Sequence, residues 1–176
     1  MKTTLDLDDA LLVRAKAIAA QERTSLTRLI GPLTPDVNVL VAASRSDHPH
    51  HAAARAWLQN VLAGASTGSA IKLQPMVIAS FLRLVTHKRI FVRPTPMAAA
   101  LRFIDALLGS AGVECPGLGP EWPVLRRLCD EMALAANDIP DAWLAAAAIH
   151  QGEHVASFDA DFKRLLPRSQ FTLLKP

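Results

Sequence analysis

The run Asn137-Asp138-Ile139-Pro140-Asp141-Ala142-Trp143-Leu144-Ala145-Ala146 opens an alanine-rich helix over residues 139–151, and Val155-Ala156-Ser157-Phe158-Asp159 follows it as a short apolar strand over residues 154–157. A helix leading straight into a buried strand is the repeating unit of an α/β protein. The same alternation runs back along the chain. Residues 37–42, Val37-Asn38-Val39-Leu40-Val41-Ala42, read as a buried strand, and residues 47–62 as a helix with Ala53, Ala54, Trp57, Leu58 and Val61 inward. After a loop at residues 64–68, Ile71-Lys72-Leu73 reads as a brief strand, followed by a helix from Pro75 to about His87, where proline suits the first turn. Residues 97–108 and 120–135 read as amphipathic helices joined by a Gly/Pro-rich loop, and residues 171–174 as a last strand. Such a pattern predicts a parallel sheet with helices on both faces and ligands at the carboxyl ends of the strands.

Three acids fall at element ends: Asp36 before the first apolar run, Asp141 at a helix start and Asp159 after a strand. Two carboxylates about 4 Å apart repel by about 4 kcal/mol at an effective dielectric near 20, so gathering three requires a cation or raised pKa values. The pattern suits one divalent metal, with Asn38 and Ser157 close enough in sequence to orient an acid by hydrogen bonding. Each acid also has a structural reading. Asp138 would cap the helix and Asp141 favour its dipole, while Asp161 would cap a short helix at residues 162–166.

Composition narrows the function classes. With 176 residues, 51% hydrophobic and 20% charged, the chain can bury one full core plus a small appendage. Lys and Arg exceed Asp and Glu by 19 to 16, which fits an anionic partner such as nucleic acid. Cys115 and Cys129 are too few for a disulfide framework or a four-ligand zinc site, and no stretch reaches the roughly eighteen apolar residues of a membrane span. A cytoplasmic protein is expected. His48, His50 and His51 lack further ligands at zinc spacing and read as a solvated helix start. Arg83 and His87, four apart on one helix face, are candidate RNA phosphate contacts or surface groups. Trp57, Trp122 and Trp143 read as core or dimer packing, and neither a phosphate loop nor a nucleophile elbow occurs.

Gly31-Pro32-Leu33-Thr34-Pro35 interrupts the periodicity and reads as a boundary between residues 1–31 and 34–176. In the first module residues 2–7 alternate like a strand, Asp8 caps a helix to about residue 22, and Thr24 or Ser25 caps a second that stops at Gly31. The phrase Met1-Lys2-Thr3-Thr4-Leu5-Asp6-Leu7-Asp8-Asp9-Ala10-Leu11-Leu12 resembles the ribbon-helix-helix domain of VapB-type antitoxins, here truncated. That resemblance implies operator DNA as a partner of residues 1–31, with Lys2 and Thr4 facing DNA from the strand.

The second module resembles the PIN-domain ribonucleases of the VapC type. The likeness rests on Pro35-Asp36-Val37-Asn38-Val39-Leu40, His48-Pro49-His50-His51 leading to Ala56-Trp57-Leu58, Phe81-Leu82-Arg83-Leu84 with Thr86-His87, Pro140-Asp141-Ala142-Trp143, and Ser157-Phe158-Asp159-Ala160-Asp161-Phe162. It implies a small α/β/α sandwich and Mg²⁺- or Mn²⁺-dependent hydrolysis of RNA, with Asp36, Asp141 and Asp159 on the acidic metal positions. It also implies a homodimer restrained by a cognate antitoxin. One position departs: Ser80 stands where the family usually has a glutamate, so Asp138, Asp161 or Ser80 itself are further candidates at the metal and reduced activity is expected. A second reading is therefore a weakly active PIN-fold protein that serves as a DNA-binding autoregulator or dimerisation partner through its N-terminal segment. A third treats that segment as a fusion remnant.

Overall fold

The computed structural model describes residues 31–65 and 71–175. The expected strand and helices of the first module, with Lys2 and Thr4, lie outside the described residues. Among those described, a five-stranded parallel sheet has the order β3-β2-β1-β4-β5, formed by β1 (Leu33–Pro35), β2 (Ile71–Lys72), β3 (Val113–Glu114), β4 (His154–Ser157) and β5 (Phe171–Leu173). The helices are α1 (Val37–Ser44), α2 (His51–Ala65), α3 (Pro75–Val85), α4 (Met97–Leu108), α5 (Trp122–Met132), α6 (Asp138–Gln151) and α7 (Phe162–Leu165), with a 3₁₀ turn at Arg168–Gln170. The strand order grows outward from β1 in one direction and then from β4 in the other. Right-handed crossovers consequently put helices on both faces, which makes the three-layer α/β/α sandwich expected from the sequence.

The central strand lies where the sequence reading put an interdomain boundary. Leu33, Thr34 and Pro35 are all buried, and β1 pairs with β4 through Leu33↔His154, Thr34↔Val155 and Pro35↔Ala156. Towards β2 only Leu33↔Ile71 pairs. Pro32 and Asp36 bond β4, by His154 N–H to Pro32 O and Asp36 N–H to Ala156 O, so Pro35 addresses the β2 side. Having no N–H, it ends that ladder. A short strand bracketed by prolines has the composition of a loop, and only its partners make it a strand.

The run after it is helix α1, not the expected strand over residues 37–42. Val39 to Ala43 are all buried, so the helix shows no polar stripe and its apolar run has no period to read. Asp36 occupies its N-cap, and its side chain accepts from Val37 N–H. Helix α2 starts at His51 rather than near Asp47, because Asp47 is held by Arg45 Nε and Nη2 at 3.0 and 2.6 Å in the preceding turn. Its inner face carries Ala54, Trp57, Leu58 and Val61 as expected, while Ala53 is only half-buried. Strand β3 went unforeseen within the Gly/Pro-rich loop. Trp122 is 60% exposed and so is not core, whereas Trp57 is buried and Trp143 half-buried.

The core runs through Leu40, Leu73, Phe81, Leu144 and Phe162. In α6 Ala142, Ala145, Ala146, Ala147 and Ala148 are fully buried, small enough for the helix backbone to lie close to its neighbours. The chain enters β1 through Gly31, whose φ of +83° suits glycine and whose absent Cβ would stand 3.0 Å from Gly152 O. No helix among the described residues is long and apolar enough to cross a membrane.

One polar cluster is sealed under the sheet. Thr34 Oγ1 donates to Glu153 Oε2 at 2.5 Å, and Gln74 Nε2 donates to both Glu153 oxygens at 3.0 and 2.9 Å. All three side chains are fully buried, and burial raises the Glu153 carboxyl above its ordinary range against these hydrogen bonds. Thr34→Val keeps the volume but removes a donor to a buried carboxyl. It should cost roughly 1.5–3 kcal/mol in urea unfolding, and a loss below about 0.5 kcal/mol would show that Gln74 alone satisfies Glu153.

Candidate active site

The carboxyl edge of the sheet collects the acids because parallel strands end together. Asp36 follows β1 directly and is 3% exposed. Its Oδ1 accepts from Val37 N–H at 2.5 Å, and its Oδ2 accepts from the Ser157 hydroxyl at 2.7 Å. Ser157, the last residue of neighbouring β4, is fully buried and has its oxygen completely engaged. It donates to Asp36 and accepts from Asn38 Nδ2 at 2.8 Å and from Asp159 N–H at 2.9 Å. Asn38 Oδ1 in turn accepts from Phe158 N–H at 3.2 Å. The first turn of α1 and the loop after β4 are thus tied into one unit around Asp36.

Asp141 lies in the first turn of α6, half-buried, and interacts with Asp159, Asp161 and Asp138. Burial, followed by repulsion from those three, pushes its carboxyl up to about 6, with Arg164 acting against the rise. Burial likewise pushes Asp36 up to about 7; the Ser157 hydrogen bond opposes this, and repulsion from Asp141 and Asp159 adds to it. Asp159 is exposed, and its Oδ1 accepts from Asp161 N–H at 2.8 Å. Among the described residues no three His, Cys, Asp or Glu side chains close around one point as a finished metal cage. What unites Asp36, Asp141 and Asp159 is a shared field of negative charge. Their hard carboxylate oxygens suit Mg²⁺ or Mn²⁺, and the repulsion gives a cation something to relieve.

The remaining candidates are placed differently. Asp138 is the first residue of α6 and does not cap it, since it is ion-paired with Arg164 and accepts from Ala135 N–H at 3.4 Å. Asp161 precedes α7 without a side-chain cap. Ser80 is half-buried on α3, and its hydroxyl bonds none of the described residues. Arg83 is exposed on the same helix. His87 is not on that helix face, because α3 closes at Val85: Thr86 folds its N–H and hydroxyl back to Leu82 O, and His87 Nδ1 accepts from Arg89 N–H in the turn beyond.

Two features escaped the sequence reading. Glu121 is buried, accepts from Trp143 Nε1 at 2.6 Å and ties the start of α5 to α6 two residues beyond Asp141. His50 is no solvated terminus: it stacks on Phe158, ring centroids 4.7 Å apart. Neither partnership leaves a local signal, as each joins residues distant in the chain.

A family model described as the PIN domain matches residues 33–165. Ribonuclease VapC25 of Mycobacterium tuberculosis is 42% identical over 130 residues, covering 73% of this chain and 89% of that protein. Ribonuclease VapC43 of the same organism is 36% identical over 133 residues, covering 75% and 88%. Among solved structures, Mycobacterium tuberculosis VapC20, a Sarcin-Ricin loop cleaving toxin, superposes with a TM-score of 0.57 at 17% identity over 82% of this chain and 99% of that one. The VapBC2 complex of Rickettsia felis, bound to a DNA fragment from its promoter, gives 0.56 at 16% identity over 79% and 96%. At such identities these structures speak for the fold alone.

The raised carboxyls make stability depend on pH. The folded protein holds protons on Asp36 and Asp141 that the unfolded chain releases near 3.8, so their contribution is complete below about pH 4 and is lost as pH rises through about 6 and about 7. For buried Asp36 the loss is on the order of 4 kcal/mol. Metal-free protein should therefore melt at a lower temperature at pH 8 than at pH 5, and Asp36→Asn should flatten that difference. A variant that keeps the full wild-type slope would remove Asp36 as its source.

Proposed function

The chain belongs to the PIN-domain family, in its VapC ribonuclease branch, and on that premise we propose that it is the endoribonuclease toxin of a type II toxin–antitoxin pair, hydrolysing RNA phosphodiester bonds with Mg²⁺ or Mn²⁺. The observation that carries this reading is the pair of carboxyls at the strand ends, pushed up to about 7 and about 6 first by burial and then by repulsion, Asp36 from Asp141 and Asp159, Asp141 from Asp159, Asp161 and Asp138. Such repulsion is what a bound divalent cation relieves. Asp36, Asp141 and Asp159 would hold the ion. When bound, it lowers the pKa of a coordinated water and neutralises charge on the scissile phosphate.

The chain's own residues do the remaining work. Ser157 holds Asp36 by one oxygen, and its hydrogen bond from Asp159 N–H fixes the loop bearing the second acid. Asn38 clamps that loop from the other side. Arg164, paired with Asp138, supplies positive charge at the rim and partly offsets the acids while the site is open. Ser80 takes the place of a further acid, so the site carries one negative charge fewer and binds its metal more weakly. The enzyme acts in the cytoplasm as a homodimer restrained by a cognate antitoxin.

The chain divides into an N-terminal segment, residues 1–31, that contacts operator DNA, and a nuclease module whose first strand, β1, begins at Leu33. Capture of VapBC2 from Rickettsia felis with promoter DNA gives that partner a precedent in the family.

Two measurements test these assignments. Asp141→Asn should lower metal-dependent RNA cleavage by more than the 10–100-fold typical when a ligand's orienting partner is lost, whereas Ser80→Glu should reduce the Mg²⁺ concentration needed for half-maximal rate. Equal rates in wild type and both variants would assign the cleavage to something other than this site. The intact chain should also retard its promoter DNA in low salt, and removal of residues 1–31 should abolish the shift. An unretarded intact chain would leave that segment as a fusion remnant.

A further inference from the structure

One more polar side chain stands at the acid edge with a nitrogen that the fold does not use. His50 precedes α2 and lies nearly parallel to Phe158, at 4.7 Å between centroids and 19° between planes. His48 stands 5.5 Å from it at 59°, and His48 Nδ1 accepts from His50 N–H at 3.1 Å. Phe158 is the residue between Ser157 and Asp159, and its N–H is held by Asn38. The stack therefore ends on the backbone that carries an acid of the site.

The His50 ring is an expensive choice for packing alone. Its Nδ1 is buried without a hydrogen-bond partner, and an unsatisfied buried polar atom costs stability. Phenylalanine would present the same face to Phe158 without that atom. A buried orphaned N–H is rarer in proteins than a buried orphaned acceptor, which assigns the ring hydrogen to Nε2. Nε2 is neither sealed off nor hydrogen-bonded to any described residue. The ring thus offers one fixed N–H donor on top of Phe158, the residue next to Asp159 in the chain, held by a stack on one side and a turn on the other.

We propose that His50 Nε2–H donates to a phosphate oxygen of bound RNA, next to the scissile position, with Phe158 as the platform that holds the ring. The proposal rests on the ribonuclease reading. A phosphate oxygen only accepts hydrogen bonds, and it matches a lone fixed donor at the border of a cation site. Phe158 is a positioning residue here, because it acts through His50 and touches no substrate.

The test separates packing from contact. His50→Phe retains the stack, and with the orphaned nitrogen gone it should melt at the wild-type temperature or higher. Its binding of end-labelled total cellular RNA, measured in an Asp141→Asn background where cleavage is suppressed, should weaken about tenfold, as loss of one charge-assisted hydrogen bond implies. His50→Ala should lose both RNA affinity and thermal stability. RNA binding by His50→Phe equal to that of its Asp141→Asn parent would overturn the proposal while leaving nuclease function intact. Failure of the wild type to cleave, together with failure of the parent to bind, would overturn the ribonuclease reading and this contact with it.

Discussion

A carboxyl group buried at the end of the central strand is the constraint around which the rest of the structure is arranged. Asp36 is nearly inaccessible, yet other acids act on it from α6 and from the loop after β4. Such a group persists only where each oxygen has a donor and the donors cannot drift. The Val37 amide and the Ser157 hydroxyl provide this, one from the next residue and one from the neighbouring strand. The β1–β4 ladder keeps Ser157 in register with Asp36, and the Asp36 N–H to Ala156 O bond extends that pairing one residue beyond β1.

From that point the packing choices acquire a purpose. Buried alanines along α6 let the helix sit close enough to the sheet for the first-turn Asp141 to share the field of Asp36. The Glu121–Trp143 bond fixes the following turn of α6 against α5. The Asp138–Arg164 pair tempers the negative charge from outside, and the chain as a whole remains net positive at +3. A net-positive chain around a cluster of acids suits a polyanionic partner.

The acids of the candidate site were legible in the chain because their signals are local. Asp36, Asp141 and Asp159 each stand at an element end, and the α/β alternation says that parallel strands will bring such ends together. Asn38 and Ser157 were legible as neighbours in sequence of an acid. By contrast, His50 against Phe158 and Glu121 under Trp143 join segments that approach only in the folded chain, and no periodicity encodes them. The ion pair of Asp138 likewise depends on Arg164, which lies beyond β4.

The amino-acid sequence alone determined the class of fold, the order of most elements and the acids at their ends, since burial patterns and capping residues act over a few positions. Tertiary structure decided which of two adjacent segments is strand and which is helix. Leu33-Thr34-Pro35 looks like a break until β4 supplies hydrogen-bond partners, and Val37 to Ala42 looks like a strand until it is seen as part of a helix capped by Asp36 and buried from Val39 to Ala43. Tertiary structure also decided the protonation of the site. A carboxyl's affinity for its proton depends on the water it has lost and the charges it faces, and both exist only once distant parts of the chain have packed together.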